Sequence, residues 1–364
     1  MYDVIVVGAG PAGCTAARKC SEYGMKTLLV EKRHLPRDKV CSGMIMGSVA
    51  KSLIELEFGA VPRDVTADPH EINGYIFYVP NIGSEKLDNS TTVTWRRNLD
   101  HWMCQKAVSC GVELMQDTLV TGIEQCGGGH SVIMKTHRDQ QAIDTRFIIG
   151  ADGATSVVRH CLFPEMKIRY AQIYQEHYRQ QLDLDMDYFH WFYPIELFPA
   201  SFTASYKDSL LIIDTAGTIG QVQQVLTYAK EFLKKYRFNV DQKPVWRGGC
   251  LEPAMFRELI NHTFKPAVGN ALLVGDAGGL IMPVSGEGIG VGMTSALAAA
   301  EAIKQSLEIG KTAGELYLEN IAAMISMFND IYPLLRSMSD EAKRGGQQLP
   351  ILLRDGYQST LRKF

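Results

Sequence analysis

Three clusters of residues in this chain could do chemistry. The run GAGPAG holds Gly8, Gly10, Pro11, Ala12 and Gly13, and its glycines satisfy GxGxxG directly after an apolar strand and at the start of a helix. In that setting backbone amides at the helix's positive end can meet a pyrophosphate. Glu31 closes the next strand, where a carboxylate accepts hydrogen bonds from both hydroxyls of an adenosine ribose and repels a 2′-phosphate. A dinucleotide site follows, and the motif alone does not separate NAD from FAD. The second cluster, GDAGGLIMPVSGEGIG, places Asp276 just past the apolar run NALLV, then Pro283 and the glycines Gly286, Gly288 and Gly290, before a small-residue helix. Such a helix start offers amides to an electron-rich carbonyl, which suits the anionic pyrimidine edge of a reduced flavin. The third is RDKVCSGM, which sets Cys41 in a short polar, glycine-bearing stretch.

Cys41 is one of eight cysteines, and none forms a CxxC pair or a His/Cys cluster of zinc-site spacing, so no metal site is expected. In a reducing compartment all eight default to free thiols, mostly small buried apolar residues.

The elements that must position these residues follow from periodicity. Residues 1–32 read as a βαβ unit: an apolar strand from Asp3 to Val7, a small-residue helix from Ala12 to about Tyr23, and the strand KTLLVE. The run RRNLDHWMCQKAVSCGVELM has helical spacing at Leu99, Trp102, Met103 and Ala107, then a glycine before another strand. Short β-rich runs at 119–125, 130–136 and 143–149 form a meander ending in FIIGADG. From about 166 to 263 the pattern turns to aromatic-rich strands, FTASY and SLLIID among them, with one amphipathic helix, VQQVLTYAKEFLKKY. Strand, glycine-rich loop and helix return after 263, so the first domain is assembled from separated pieces. The expected division is 1–70, 92–165 and 264–310 for a Rossmann-like nucleotide domain, 71–91 and 166–263 for an antiparallel substrate sheet, and 311–364 for a helical segment. That segment has apolar spacing at Ile321, Met324, Ile325 and Phe328, then Pro333 and a basic tail. The fold class is α/β with α+β elements.

GAGPAG with Glu31, ADGATSVVR at 151–159 and GDAGGLIMPVSGEGI at 275–289 resemble, in order, three fingerprints of the p-hydroxybenzoate hydroxylase superfamily of FAD proteins. The resemblance implies FAD, with Glu31 on the adenosine ribose, Asp276 by the ribityl chain, and Gly286 to Ile289 at the flavin ring. It also implies cofactor contacts from Lys32, Val120 and Pro283, and from an arginine of RRNLD, for which Arg96 has the better spacing and Arg97 is the fallback. Within the superfamily the chain is most similar to the geranylgeranyl reductase branch. KVCSG matches its lysine, cysteine and glycine with Lys39, Cys41 and Gly43, and the resemblance folds Cys41, Ser42 and Gly43 back over the flavin. The branch's YxWxFP motif is met here by Phe189, Trp191, Tyr193 and Pro194, reading FxWxYP. An aromatic strand of this kind can wall a hydrophobic substrate tunnel, or can be plain sheet core.

Two reactions fit. In the first, reduced flavin delivers hydride to a carbon–carbon double bond of an isoprenoid or related apolar substrate, and an acid protonates the other carbon. Cys41, a water it holds, or Tyr193 could be that acid, while aromatic faces such as Trp191 stabilise positive charge developing in the alkene. In the second, the flavin reacts with oxygen and serves as a monooxygenase or halogenase through a peroxyflavin. Phe189 and Tyr193 break the WxWxIP pattern expected of a halogenase. A non-catalytic flavin or lipid carrier is a third reading. With one dinucleotide unit, the electron donor is a transient visitor: NAD(P)H, a ferredoxin or a flavodoxin. The carboxyl end is shorter than the resemblance to prenyl reductases of large lipids implies, which weakens the expectation of a bulky lipid, and a smaller isoprenoid or an aromatic intermediate fits equally well.

Composition narrows the partners. The 364 residues are 46% hydrophobic and 21% charged, usage typical of folded domains. A net charge of −3 gives no electrostatic basis for binding nucleic acid. MYDVIVVGAG lacks the features of a secretory signal and no apolar run nears the ~18 residues of a membrane span, so a cytoplasmic location is expected, with peripheral membrane contact still open.

Overall fold

A computed structural model describes residues 1–363. In chain order its strands and helices are β1 (Tyr2–Val7), α1 (Pro11–Glu22), β2 (Thr27–Val30), β3 (Met44–Ile45), α2 (Ser48–Phe58), β4 (Thr66–Val79), β5 (Gly83–Thr94) and α3 (Arg96–Ser109). Then come β6 (Glu113–Met115), β7 (Leu119–Cys126), β8 (Gly129–Lys135), β9 (Gln140–Gly150), α4 (Val157–Leu162), β10 (Tyr170–Tyr178), β11 (Tyr188–Phe192), β12 (Ser201–Lys207), β13 (Leu210–Thr218) and α5 (Val222–Leu233). The chain closes with β14 (Trp246–Pro253), α6 (Phe256–Ile260), β15 (Ala267–Val268), β16 (Ala271–Leu273), α7 (Ile289–Ile309), α8 (Ala313–Asn320), α9 (Ala322–Lys343) and α10 (Leu349–Lys363).

Two eight-stranded sheets carry the molecule. The first has the path β15-β16-β9-β1-β2-β6, with β7 and β8 extending from β9 as an antiparallel meander. β1 lies between β2 and β9, parallel to both, which is why Val4 to Val7 is an unbroken buried apolar run rather than an alternating one. Helices α1 and α7 approach closely because small residues meet there: a Cβ on Gly292 would lie 3.3 Å from the Ala12 Cβ.

The second sheet runs β14-β10-β13-β12-β11-β4-β5-β3. It takes in more of the early chain than the expected 71–91: β4 and β5 span Thr66 to Thr94, and Met44–Ile45 joins as an edge strand. Gly43 and Gly47 have positive φ (66° and 79°) and bend the chain onto and off that edge, a local device that hydrophobic periodicity does not register.

The last helices differ from the expected separate segment. Helix α8 is tied to the first sheet by a hydrogen bond from Tyr317 Oη to the Leu273 carbonyl (2.8 Å). Helix α10 packs on β4 and β5, with the Tyr357 ring set at a tilt against Tyr75 and Phe77 (centroids 4.8 and 5.1 Å apart). Pro333 does not end a helix either. It lies inside α9, which is buried on both sides of it through Phe328, Ile331 and Met338, and that packing offsets the one lost backbone bond.

Candidate active site

The turn between β1 and α1 is built by the absence of side chains. A Cβ on Gly8, whose φ is 104°, would fall 2.4 Å from the Ala151 carbonyl oxygen, and one on Gly13 would fall 1.7 Å from the Gly8 oxygen. Gly10 differs. A Cβ there would meet just Arg96 Nη2, at 3.6 Å, so Gly10 marks an open ledge at the start of α1, whose N-cap has no side-chain hydrogen bond.

The ledge faces a cavity of about 1030 Å³ that runs between the two sheets. Gly8, Gly10, Pro11 and Ala12 line it, as do Glu31, Lys32, Arg96 and Val120. Cys41 and Ser42 border it from the loop before β3, and Asp276, Pro283, Gly286, Gly288 and Ile289 from the second glycine cluster. Gly13 and Gly43 lie outside the lining and act through backbone shape. A Cβ on Gly43 would sit 2.1 Å from the Thr94 oxygen, and its N–H donates to Cys41 Sγ at 3.3 Å.

A buried ionic frame lies beside the Gly10 ledge. Arg96 donates from Nε and Nη2 to the two oxygens of Asp100 (2.7 and 3.0 Å), and Arg37 Nη1 reaches the same carboxylate at 2.9 Å. Burial pushes the Asp100 carboxyl up, and the two guanidinium groups more than offset this, holding it below the usual carboxylate range. Arg37 also donates to Glu31 Oε2 (3.2 Å), which accepts the Ala9 amide as well. Arg97, the fallback, is half exposed near Asp38 and does not line the cavity. In ADGATSVVR, Asp152 and Ser156 accept the first amides of α4, and Arg159 grips the carbonyls of Asp276 and Ala277, coupling the second fingerprint to the third.

The start of α7 departs from expectation. Its first free amides, on Gly290 and Val291, are already taken by the Glu287 carboxylate (2.6 and 3.2 Å). Burial pushes that carboxyl up to about 7. The surfaces left to a ligand are the backbone of Gly286 and Gly288, with Asp276 Oδ1 3.5 Å from the place of a Gly288 Cβ.

The opposite wall is the second sheet. Phe189, Trp191 and Tyr193 line the cavity along β11 and just past it, joined by Tyr75 from β4 and Tyr357 from α10. Trp191 stacks on Tyr193 (5.6 Å) and donates from Nε1 to Ser201 Oγ (3.0 Å). Burial pushes the Tyr193 hydroxyl well above its ordinary range. His190 points the other way, bonded to the Asp185 carbonyl and to Tyr78.

Sequence pattern also leaves three polar groups of the second sheet unmarked. Glu252 on β14 lines the cavity with its Oε2 3.6 Å from the place of a Gly286 Cβ, and burial and the Asp276 charge push its carboxyl up to about 7. Asp214 on β13 faces the cavity, accepting from Gln175 Nε2 (2.6 Å) and Thr203 Oγ1 (3.2 Å). Lys207 is buried with Nζ on the Thr94 carbonyl (3.1 Å), and burial pushes it down to about 8. One sequence signal exists: Asp214 in the middle of β13 and Glu252 near the end of β14 are lone carboxylates in strands otherwise rich in apolar residues or glycine. Among the described residues, no group of three or more His, Cys, Asp or Glu is arranged to hold a metal ion.

An extended ligand with a pyrophosphate fits this lining. The ledge over Gly10, the uncapped first turn of α1, the anchored Glu31 and the long cavity together accept FAD, with Arg96 at the phosphate end. The chain belongs to the FAD binding domain family, which matches residues 1–187, and its class is that of FAD-dependent oxidoreductases and monooxygenases. Among curated relatives it is similar to Protein CbrA of Escherichia coli O157:H7, 28% identical over 306 residues, covering 81% of this chain and 82% of that one. Among solved structures, a geranylgeranyl bacteriochlorophyll reductase-like protein from Thermoplasma acidophilum has a TM-score of 0.81 at 18% identity, covering 100% of this chain and 96% of the other. A variant of a flavin-dependent brominase has a TM-score of 0.76 at 16% identity, covering 100% and 94%. At such identities these two likenesses establish the p-hydroxybenzoate hydroxylase type of fold. Among the described residues, no helix is long and apolar enough to cross a membrane.

Proposed function

We propose that this protein reduces a carbon–carbon double bond of an apolar, isoprenoid-like substrate. FAD, when bound and reduced, supplies the hydride. The observation that carries the reading is the continuity of one cavity from the Gly10 ledge to the aromatic wall of Trp191, Tyr193 and Tyr357, with the elevated acid Glu252 in the same lining beside Gly286.

Each residue has a distinct task. Gly8, Gly10 and Arg96 hold the phosphate end, and Glu31 the ribose. Trp191 and Tyr193 exclude water and present π faces to a carbon that becomes electron-poor as the proton arrives. Glu252 donates that proton. With its carboxyl at about 7 it is populated in the acid form near neutral pH and is still acidic enough to give the proton up, whereas Tyr193 is held to its proton by burial. Hydride and proton saturate the two alkene carbons, and the two electrons are replaced by a visiting donor, NAD(P)H or a reduced ferredoxin or flavodoxin. Cys41 borders the same cavity, and we assign it to shaping the reacting face.

The brominase likeness keeps an oxygen-dependent reaction as the competing reading. Mixing the photoreduced holoprotein with a panel of isoprenoid alcohols and diphosphates under argon separates the two. Product gaining two hydrogens supports reduction, and turnover confined to aerated samples supports oxygenation.

A further inference from the structure

The second sheet changes character across its width. From β4 to β14, one line of register partners is Phe77, Trp191, Thr203, Asp214, Gln175 and Gly248. It is aromatic on β4 and β11 and polar on β12, β13 and β10. Trp191, Thr203 and Asp214 of this line border the cavity, and Ser201, a hydrogen-bond partner of Trp191, borders it two residues from Thr203.

We propose that the Thr203–Asp214 pair, where the sheet's aromatic and polar halves meet, binds an uncharged hydroxyl group on the apolar substrate, and that the site excludes diphosphate-headed isoprenoids. The apolar skeleton rests on the reduction reading; the head group rests on the sheet. Thr203 gives its hydroxyl proton to Asp214 and keeps lone pairs to accept from a ligand hydroxyl. Burial pushes the Asp214 carboxyl up, toward a form that both donates and accepts.

Desolvation without a free cation on the sheet makes the exclusion. The charged side chains that this sheet contributes to the lining, Asp214 and Glu252, are both acidic. Lys207 is turned onto the Thr94 carbonyl and stays outside the lining. The cations that do border the cavity, Lys32, Arg33, Arg37, Lys39 and Arg96, all come from the dinucleotide side. Of these, Lys39 lies in the field of Glu252, and Arg37 and Arg96 are bound to Asp100. A diphosphate at the sheet would be a desolvated polyanion beside two buried carboxyls, where Lys39 already serves Glu252 and Lys207, whose charge acts on Asp214, is committed to the Thr94 carbonyl.

The test is calorimetric titration of the oxidised, FAD-loaded protein with farnesol and with farnesyl diphosphate. Farnesol should bind at least about tenfold more tightly. Asp214→Leu should weaken farnesol by about tenfold at unchanged FAD content, and Thr203→Val should do the same if the first variant fails to fold. Equal or tighter binding of the diphosphate, no binding of farnesol, or farnesol affinity unchanged in a folded variant would each overturn the proposal. Because no turnover is involved, an absence of alkene reduction leaves this result standing. Preferential reduction of the diphosphate would sink the head-group assignment while keeping the reduction reading.

Discussion

The Glu252 carboxylate on β14 stands beside Gly286, its Oε2 3.6 Å from where a Cβ on that glycine would be. The two residues lie 34 positions apart in sequence and meet because the edge of the second sheet packs over the loop before α7. Their proximity places the cavity's elevated acid at the glycine loop ascribed to the flavin ring.

The first prediction concerns pH. A proton donor with a carboxyl raised to about 7 is active below that pH and is lost above it, so the rate of alkene reduction should fall as pH rises through about 7. Glu252→Gln should lower the rate roughly 100-fold and flatten that limb. Stability carries the matching sign. Because the folded carboxyl titrates above its ordinary 4.5, folding binds a proton in the window between 4.5 and about 7, and wild type loses stability across it as pH rises. Glu252→Gln should therefore gain in melting temperature relative to wild type from pH 4.5 to 8, and parallel curves would remove Glu252 from the account.

Gly8 and Gly10 should separate folding from binding. Gly8→Ala puts a methyl 2.4 Å from the Ala151 oxygen at a positive φ and should yield a destabilised protein. Gly10→Val meets just Arg96 Nη2, at an ordinary contact distance, and should leave the fold intact while FAD content, read from the flavin's visible absorbance, drops to near zero. Normal flavin content in Gly10→Val would place the pyrophosphate elsewhere.

Arg96→Met should cost about 3 kcal/mol in denaturant unfolding, because it strips the fully buried Asp100 of a two-point partner and leaves it with Arg37. The Asp100 contribution has the opposite pH sign from that of Glu252. Its carboxyl is depressed, so the stabilisation is present above the ordinary carboxylate range and lost as pH falls from there through the lowered folded-state value. Arg97→Met should change stability by less than about 0.5 kcal/mol.

Much of the dinucleotide end was legible in the sequence because its geometry is local. Strand, GAGPAG and helix are contiguous, and Glu31 sits one strand later, so residue spacing alone brings them together. Arg37, Glu252, Asp214 and Tyr357 were not legible in that way. Glu252, Asp214 and Tyr357 reach the cavity through strand order or helix docking over long stretches of chain, which single-sequence periodicity does not encode, and Arg37 is placed by an irregular loop six residues after Glu31 that has no periodicity to read. The second glycine cluster shows the opposite failure: its motif was visible, yet the motif's own glutamate, Glu287, takes the amides that the pattern alone assigns to a ligand.

Cys41→Ser should retain FAD and slow alkene reduction, since Cys41 borders the cavity and its Sγ accepts the Gly43 amide, a contact that a serine hydroxyl can keep. Single-turnover rates of the reduced variant decide this. A rate equal to wild type would leave the cysteine a packing role.

The most direct measurement follows the flavin absorbance of the reduced holoprotein after anaerobic mixing with an isoprenoid alcohol, with mass spectrometry of the product. The account predicts flavin reoxidation without oxygen, in step with a product two hydrogens heavier. A flavin that stays reduced under argon, with product formed only after oxygen is admitted, would contradict it.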